Sequence, residues 1–378
     1  NAEAVINDPA VDVVVEVIGG IEPARSLIMK AIKAGKSVVT ANKAVIARHG
    51  QEIADAANSA GVYVLIEAAV GGGIPIIEPL KQSLGGNKIR KVSGIINGTT
   101  NYILTRMKKE GSDYKDVLKD AQELGYAEAD PAADIDGLDA ADKIAILSGL
   151  AFGGKINRES IQVKGITNIQ TLDVNYAQQL GYGIKLLAQA ESLGDSENSM
   201  SSLPLSVSVQ PTLVPQDHPL SGVNGVNNAI LVEGDPIGEV MFYGPGAGSG
   251  PTASAVVADI LNIAGISQLN QTANGKLDSL LAATSWRTCH VVKANEIIQK
   301  NYIRLNAIDS PGVIGHIGTI FGEYGVSIQS IIQFDAINQV AEIVVITHKV
   351  SQGQMNQALE RIKKLSGIKG IAAQMGCL

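Results

Sequence analysis

Hydrophobic positions at the start of the chain change period repeatedly. Residues 11–18 form a β-branched run ending at Gly19-Gly20, residues 23–34 carry helical spacing, and residues 37–40 are a second short β-branched run. A further helical stretch, 46–59, leads to the apolar run 62–66. Strands alternating with helices at this spacing predict a parallel, doubly wound sheet. Ligands of such sheets bind beyond the carboxyl ends of the strands. That rule puts Gly19, Thr40, Ala41, Asn42, Lys43 and the loop after Glu67 on one rim. No glycine-rich phosphate turn precedes the first run, so the chain reads as beginning partway into a dinucleotide-binding unit, 1–66. Gly71-Gly72-Gly73 follows a strand but lacks the spacing to replace that turn.

From residue 89 the pattern becomes mixed. Residues 91–96 read as a strand entering Asn97-Gly98-Thr99-Thr100-Asn101, where a threonine could cap a helix over 102–109. Residues 203–209 alternate as a half-buried strand, and 229–232 read as another, giving an α+β domain over 67–243 with a mixed or antiparallel sheet. The segment 244–252 is glycine-rich and opens a helix over 254–263. Its free N–H groups favour an anion, with a plain glycine loop as the alternative. Residues 267–299 are polar with weak periodicity and read as a linker. The remainder, 300–378, gives strands at 302–308, 326–334, 340–348 and 368–374 and helices at 313–324 and 355–365. The order is βαββαβ, a ferredoxin-like module.

Composition narrows the function. A 378-residue chain with 45% hydrophobic, 18% charged and only 4% aromatic residues, and 41 glycines, fits an α/β enzyme of two or three domains. A net charge of −7 without a basic run argues against nucleic acid. No apolar run reaches the roughly 18 residues needed to span a bilayer, and no signal-peptide order opens the chain, so a soluble cytoplasmic protein is expected. Cys289 and Cys377 are far apart and the five histidines are scattered, which ranks disulfide, zinc and hydrolytic-triad chemistry low.

The chemistry concentrates in 125–143. This Gly/Pro-broken loop carries Glu128, Asp130 and Asp134, then delivers Asp139 and Lys143 onto one face of a helix start, four residues apart. A carboxylate and an ammonium held together there could grip and protonate a small polar substrate. An exposed Asp/Lys pair contributing about 0.2–0.5 kcal/mol is the plainer reading of that spacing.

Several long motifs carry a resemblance: Val13-Val14-Val15-Glu16-Val17-Ile18-Gly19-Gly20, Thr40-Ala41-Asn42-Lys43, Glu67-Ala68-Ala69-Val70-Gly71-Gly72-Gly73-Ile74-Pro75, Asn97-Gly98-Thr99-Thr100-Asn101, and 125–143. Together they resemble the long, bacterial, monofunctional homoserine dehydrogenases. The tail is similar to an ACT domain, with Asp309-Ser310-Pro311-Gly312-Val313-Ile314 as its signature. The resemblance implies an α/β protein: a Rossmann-like domain incomplete at its N-terminus, an α+β catalytic and dimerisation domain with a mixed sheet, and an ACT module. It implies reversible reduction of L-aspartate 4-semialdehyde to L-homoserine with NADPH or NADH, on the route to threonine, methionine and isoleucine.

By resemblance Lys143 is the general acid/base, Asp139 orients it, and Lys43 stands between cofactor and substrate. Glu128 would bind the substrate ammonium, with Asp134 nearby. Gly19, Thr40, Lys43, Gly125, Gly246 and Gly248 would face the dinucleotide, with 244–266 returning to the first domain. The carbonyls of Glu67, Val70, Gly72 and Ile74 would hold a sodium or potassium ion, although a structural turn accounts for these glycines equally well from sequence. Threonine is the expected effector, at Asp309, Pro311, Gly312, Val313, Ile314 and the facing Gln329, in a homodimer or homotetramer. A structural role for the tail remains open. So do a related semialdehyde or aspartate dehydrogenase and a non-catalytic amino-acid sensor.

Overall fold

The computed structural model describes residues 1–194, 202–270, 287–333 and 340–378. After a short helix, Ala2–Asn7, three parallel strands Val13–Glu16, Ser37–Thr40 and Val64–Leu65 lie side by side in that order. Helices Ala24–Lys33 and Lys43–Ala60 bury Ile28, Ile32, Ile53 and Ala57 against Val38 and Val64, so the predicted periodicity becomes a packed layer. The first strand is shorter than the run 11–18. Val17 and Ile18 are 63% and 59% exposed, and the chain leaves the sheet through Gly19 and Gly20 at φ 82° and 70°.

Helix Ser249–Asn270 lies on the other side of this sheet, where Ile263, Val256 and Ile260 pack with Val39, Tyr63 and Leu65. The glycine-rich segment before it thus brings a distant part of the chain to the nucleotide unit.

The second unit is built on strands Gly238–Pro245, Asn227–Asp235, Lys88–Ile95, Tyr182–Ser192 and Ser202–Pro215, each antiparallel to its neighbour. Parallel pairings of Ser202–Pro215 with Gln162–Val163, Arg287–Val291 and Ile368–Cys377 make the sheet mixed. Helices Gly98–Glu110, Leu138–Phe152 and Thr171–Gln179 contribute to its apolar core, including Ile103, Ile144, Leu147 and Ala177. Sequence periodicity gave no signal for Tyr182–Ser192 because both its faces are covered, and its Leu, Ala, Gln and Lys residues favour helices as much as strands. The helix after residue 97 is capped by Asn97, not by a threonine: Asn97 Oδ1 accepts from Thr100 N at 2.9 Å.

The tail has four antiparallel strands in the spatial order Ile368–Cys377, Ile298–Ile308, Val340–Thr347, Ile328–Gln333, with helices Val313–Glu323 and Gln352–Ile362 on one face. This is the expected ferredoxin-like arrangement. Under the helices lie Ile303, Leu305, Ile317, Phe321 and Met355. The opposite face, with Tyr302, Val344, Ile346 and Met375, belongs to the core of the second unit. Residues 267–299 are therefore not simply a linker. Residues 271–286 lie outside the described residues, while Arg287–Val291 is a strand paired with Gly154–Lys155 and Ser202–Pro215. Its polar alternation is weak in isolation, and the neighbouring strands supply the hydrogen-bond partners that fix it. Among the described residues no helix is long and apolar enough to cross a membrane.

Candidate active site

Strand Lys88–Ile95 runs into Ile96 and the cap residue Asn97, whose Oδ1 is occupied by the helix terminus. Its Nδ2 is left to donate, and reaches Asp134 Oδ1 at 2.7 Å and Asp139 Oδ2 at 2.9 Å. Thr99 Oγ1 lies 2.6 Å from the Tyr126 carbonyl and 2.9 Å from Asp134 Oδ2, so Asp134 is held by the same helix start. Helix Leu138–Phe152 opens at Gly137, which has φ 82°. A Cβ there would lie 3.1 Å from Val163 Cγ1, so glycine satisfies both the backbone and the packing.

Asp139 in the first turn and Lys143 one turn later meet as the spacing predicts: Lys143 Nζ donates to Asp139 Oδ2 at 2.8 Å and to the Ile96 carbonyl at 2.8 Å. Both are buried, at 7% and 8% exposure, which removes the exposed-pair reading. An ammonium has three N–H donors, so one remains for a ligand. Lys43, the first residue of its helix, comes from the nucleotide unit to place Nζ 2.8 Å from Asp139 Oδ1. Burial would push the Asp139 carboxyl up, but the ammoniums of Lys143 and Lys43 outweigh it and hold it far below the usual carboxylate range. Asp139 is thus a permanent anion with both oxygens engaged. Burial works against the charge on Lys43, but Asp139 beside it wins and raises its pKa.

At the strand-end rim, Thr40 donates to Glu16 Oε2 at 2.7 Å, Glu16 Oε1 accepts from Ile18 N at 2.7 Å, and Asn42 Nδ2 donates to the Gly20 carbonyl at 2.8 Å. The buried Thr40 side chain therefore shapes the rim from beneath. Gly19 has open space where a Cβ would stand, as has Gly125, which lies exposed at φ 75°. Gly72 and Gly246 are pressed together: a Cβ on Gly72 would sit 2.6 Å from the Gly246 carbonyl group, and one on Gly246 would sit 1.9 Å from Asn228 Nδ2. Gly248 turns the chain at φ 121° into the helix that follows.

The Glu67 carboxylate takes backbone N–H groups of Ile76, Ile77 and Glu78 at 2.7, 2.9 and 2.8 Å, capping helix Ile77–Lys81. Burial pushes its pKa up, against those three donors. Glu67 N donates to Asp259 Oδ2 at 2.9 Å, and burial pushes the Asp259 carboxyl up to about 7. In the loop between, the carbonyls of Val70, Gly72 and Ile74 accept no hydrogen bond from a backbone N–H of the described residues. No group of three or more His, Cys, Asp or Glu side chains placed for a metal occurs among the described residues.

The structure thus brings together Lys43, Asp134, Asp139 and Lys143. Glu128 stays exposed on the same loop, its carbonyl accepting from Gln122 Nε2 at 3.1 Å. In the tail, Asp309, Ser310, Pro311, Gly312, Ile314 and Gln333, all exposed, line an open surface pocket of about 480 Å³, across which Gln333 Nε2 donates to Asp309 Oδ1 at 2.9 Å. Gln329, on the same strand, is exposed and does not line that pocket, and Val313 is buried in the module's core. Two side chains that hold the candidate site together, Asn97 beside Asp134 and Asp139 and Glu16 beneath Thr40, do not stand out in the sequence as site residues. The sequence points to a threonine for the cap that Asn97 makes, and the bonds from Asn97 Nδ2 depend on side chains about 40 residues away.

Sequence models of three families match the chain: homoserine dehydrogenase, NAD binding domain over 1–67, homoserine dehydrogenase over 75–261, and ACT domain over 301–367. The homoserine dehydrogenase of Synechocystis sp. is 55% identical over 98% of this chain and 84% of its own length. The crystal structure of a homoserine dehydrogenase from Thiobacillus denitrificans superposes with a TM-score of 0.90 at 41% identity, covering 100% of this chain and 84% of that one. A hyperthermophilic archaeal homoserine dehydrogenase mutant in complex with NADPH matches with a TM-score of 0.60 at 31% identity, over 70% of this chain and 75% of that one.

Proposed function

The chain belongs to the homoserine dehydrogenase family and is an NAD(P)-dependent oxidoreductase, and on that premise we propose that Lys143 moves the proton when L-aspartate 4-semialdehyde and L-homoserine interconvert. The observation that carries the assignment is the buried Lys143 ammonium, fixed by Asp139 and the Ile96 carbonyl with one N–H to offer. When bound, a reduced nicotinamide supplies hydride to the aldehyde carbon. Lys143 donates to the oxygen on which charge develops, and recovers the proton in the reverse direction. Asp139 does not exchange protons near neutral pH, because two ammoniums keep it ionised. It fixes the direction of Lys143 and anchors Lys43 at the boundary of the two units. Glu128, exposed on the loop that carries Asp134, is assigned to the substrate ammonium on the family pattern.

The rim around Gly19 and Gly20 fits a dinucleotide: its left-handed backbone leaves open space at the ends of parallel strands, with Lys43 at its lip. Gly125, Gly246 and Gly248 would border it, with Thr40 shaping the rim below. The carbonyls of Val70, Gly72 and Ile74, which take no backbone N–H among the described residues, would with that of Glu67 suit a sodium or potassium ion, since hard cations take oxygen ligands. In the tail we assign threonine to the pocket at Asp309–Gln333, where Gly312 opens helix Val313–Glu323. Strand Ile328–Gln333 is at the edge of its sheet, an available side for pairing with a second copy.

The decisive experiment follows NADPH oxidation with aspartate semialdehyde, comparing Lys143→Ala with the unsubstituted protein. Turnover in the unsubstituted protein and its loss in the variant support the reading; near-normal turnover in the variant removes Lys143 from the proton step.

A further inference from the structure

One residue before Lys143, Asp142 is buried at 7% exposure and faces two guanidiniums. Its Oδ1 accepts from Arg158 Nε at 2.6 Å, within the same unit, and Arg158 is itself 6% exposed. Its Oδ2 accepts from Arg48 NH1 at 3.0 Å, and Arg48 belongs to helix Lys43–Ala60 of the nucleotide unit. Arg48 also reaches the Ala44 carbonyl at 3.3 Å and lies 3.7 Å from Glu159. The helix that begins with Lys43 is therefore tied to the helix of Asp139 and Lys143 at two points.

We propose that Arg48, through Asp142 clamped by Arg158, is a positioning residue for the reaction, setting where Lys143 stands relative to the hydride donor held by the nucleotide unit. The inference rests on the proton-transfer role assigned above. The two reacting groups ride on different units, so the geometry of the step is decided by the contact between helices Lys43–Ala60 and Leu138–Phe152. The apolar part of that contact, Ile46 and Ala47 against the second unit's core, is non-directional and permits sliding. The Lys43 to Asp139 pair is a flexible stem on a side chain 41% exposed. Arg48 reaches Asp142 through NH1 alone, but that nitrogen is also set against the Ala44 carbonyl of its own helix, and Arg158 holds the other oxygen of the acceptor, so both ends of the contact are fixed. A misplacement of about 1 Å can cost 10²-fold in rate, so a pin one residue from the proton donor has leverage that a surface ion pair lacks.

The test is Arg48→Met, which keeps the apolar stem and leaves Asp142 paired with Arg158. We expect kcat to fall about tenfold or more while both KM values stay within about twofold, as for loss of alignment in the transition state. The isotope effect with NADPH deuterated at the transferred hydride should rise, because hydride transfer becomes more limiting. The melting temperature should hardly move, and Arg48→Lys should recover part of kcat; if Arg48→Met does not fold, Arg48→Lys alone carries the test, with a smaller fall in kcat and the same rise in isotope effect. Unchanged kcat overturns the proposal. So does a fall in kcat that tracks lost thermal stability with the isotope effect unaltered. Failure of the underlying reading looks different: the unsubstituted protein would not reduce aspartate semialdehyde.

Discussion

Arg304 and Asp173 form an ion pair sealed from solvent, with Arg304 Nε donating to Asp173 Oδ1 at 2.7 Å and exposures of 1% and 0% for the two side chains. Arg304 is in the first strand of the ACT module, whereas Asp173 is in helix Thr171–Gln179 of the catalytic unit. The same guanidinium donates to Glu342 Oε1 and Gln170 Oε1, each at 2.7 Å. Helix Thr171–Gln179 in turn contacts the end of helix Gly98–Glu110 through Gln178 Nε2 and the Lys108 carbonyl, and that helix is capped by Asn97, which holds Asp134 and Asp139. The module is thus bonded to the catalytic unit through its sheet, its apolar face and this buried cluster.

Removing one partner should leave a buried charge unpaired, a loss of about 3–5 kcal/mol. Arg304→Met is expected to lower the denaturant midpoint by that order, and Arg304→Met with Asp173→Asn to be less destabilised than the sum of the two singles. Additive losses in a double-mutant cycle would mean that the pair does not act as a unit.

For the pair to which we assign the proton step, Lys143→Ala should lower kcat by about 10²–10⁴-fold with cofactor affinity retained. Asp139→Asn should also lower kcat, because Lys143 and Lys43 lose the anion that holds them 2.8 Å away on either side. It should in addition weaken the coupling between the units, which Lys143→Ala leaves in place. Steady-state kinetics with NADPH titrated by fluorescence separates these outcomes. An Asp139→Asn variant with unaltered kcat would exclude the orienting role.

Much of this was legible in the chain because it is local. The alternation of strand and helix over the first 66 residues, the βαββαβ tail and the four-residue spacing of Asp139 and Lys143 each need only near neighbours to be read. What escaped depends on partners distant in sequence. Tyr182–Ser192 is a strand because both faces are covered, and Arg287–Val291 is one because Ser202–Pro215 offers an edge. Lys43 gained its position from a family pattern, but its bond to Asp139 crosses two units and has no trace in either local motif. Gln329 is named by the family pattern, whereas the contact of Gln333 with Asp309 joins residues 24 apart and the strand is irregular between Ile328 and Ser330, so neither shows in the local sequence.

The glycine loop makes a sharper claim. Gly72 has φ 56°, and its missing side chain is what admits the Gly246 backbone. Gly72→Ala would place a methyl 2.6 Å from backbone atoms that cannot swing away. We expect lower stability and a weaker response of the melting temperature to sodium or potassium, since the carbonyls of this loop would move apart. If added cation raises the melting temperature of Gly72→Ala and the unsubstituted protein equally, the loop is not the cation site.

Lys185 should give the protein a distinctive dependence on pH. It sits in strand Tyr182–Ser192 at 2% exposure, donating to Asn101 Oδ1 at 3.1 Å, to Asn224 Oδ1 at 3.3 Å and to the Val223 carbonyl. Burial above all, with the charges of Lys108 and Lys109 adding to it, pulls its pKa down to about 7 from an ordinary 10.5. Between those two values the unfolded chain holds a proton on this lysine that the folded protein has released, so stability rises with pH across that window. Below about 7 both states are protonated and the group contributes no slope. Lys185→Met removes the slope, and it also leaves the Asn101 and Val223 oxygens without their donor, a loss independent of pH. Urea midpoints measured from pH 6 to 10 should therefore climb above neutrality for the unsubstituted protein more steeply than for the variant. Equal slopes would show that Lys185 stays charged throughout, its three oxygen acceptors outweighing burial.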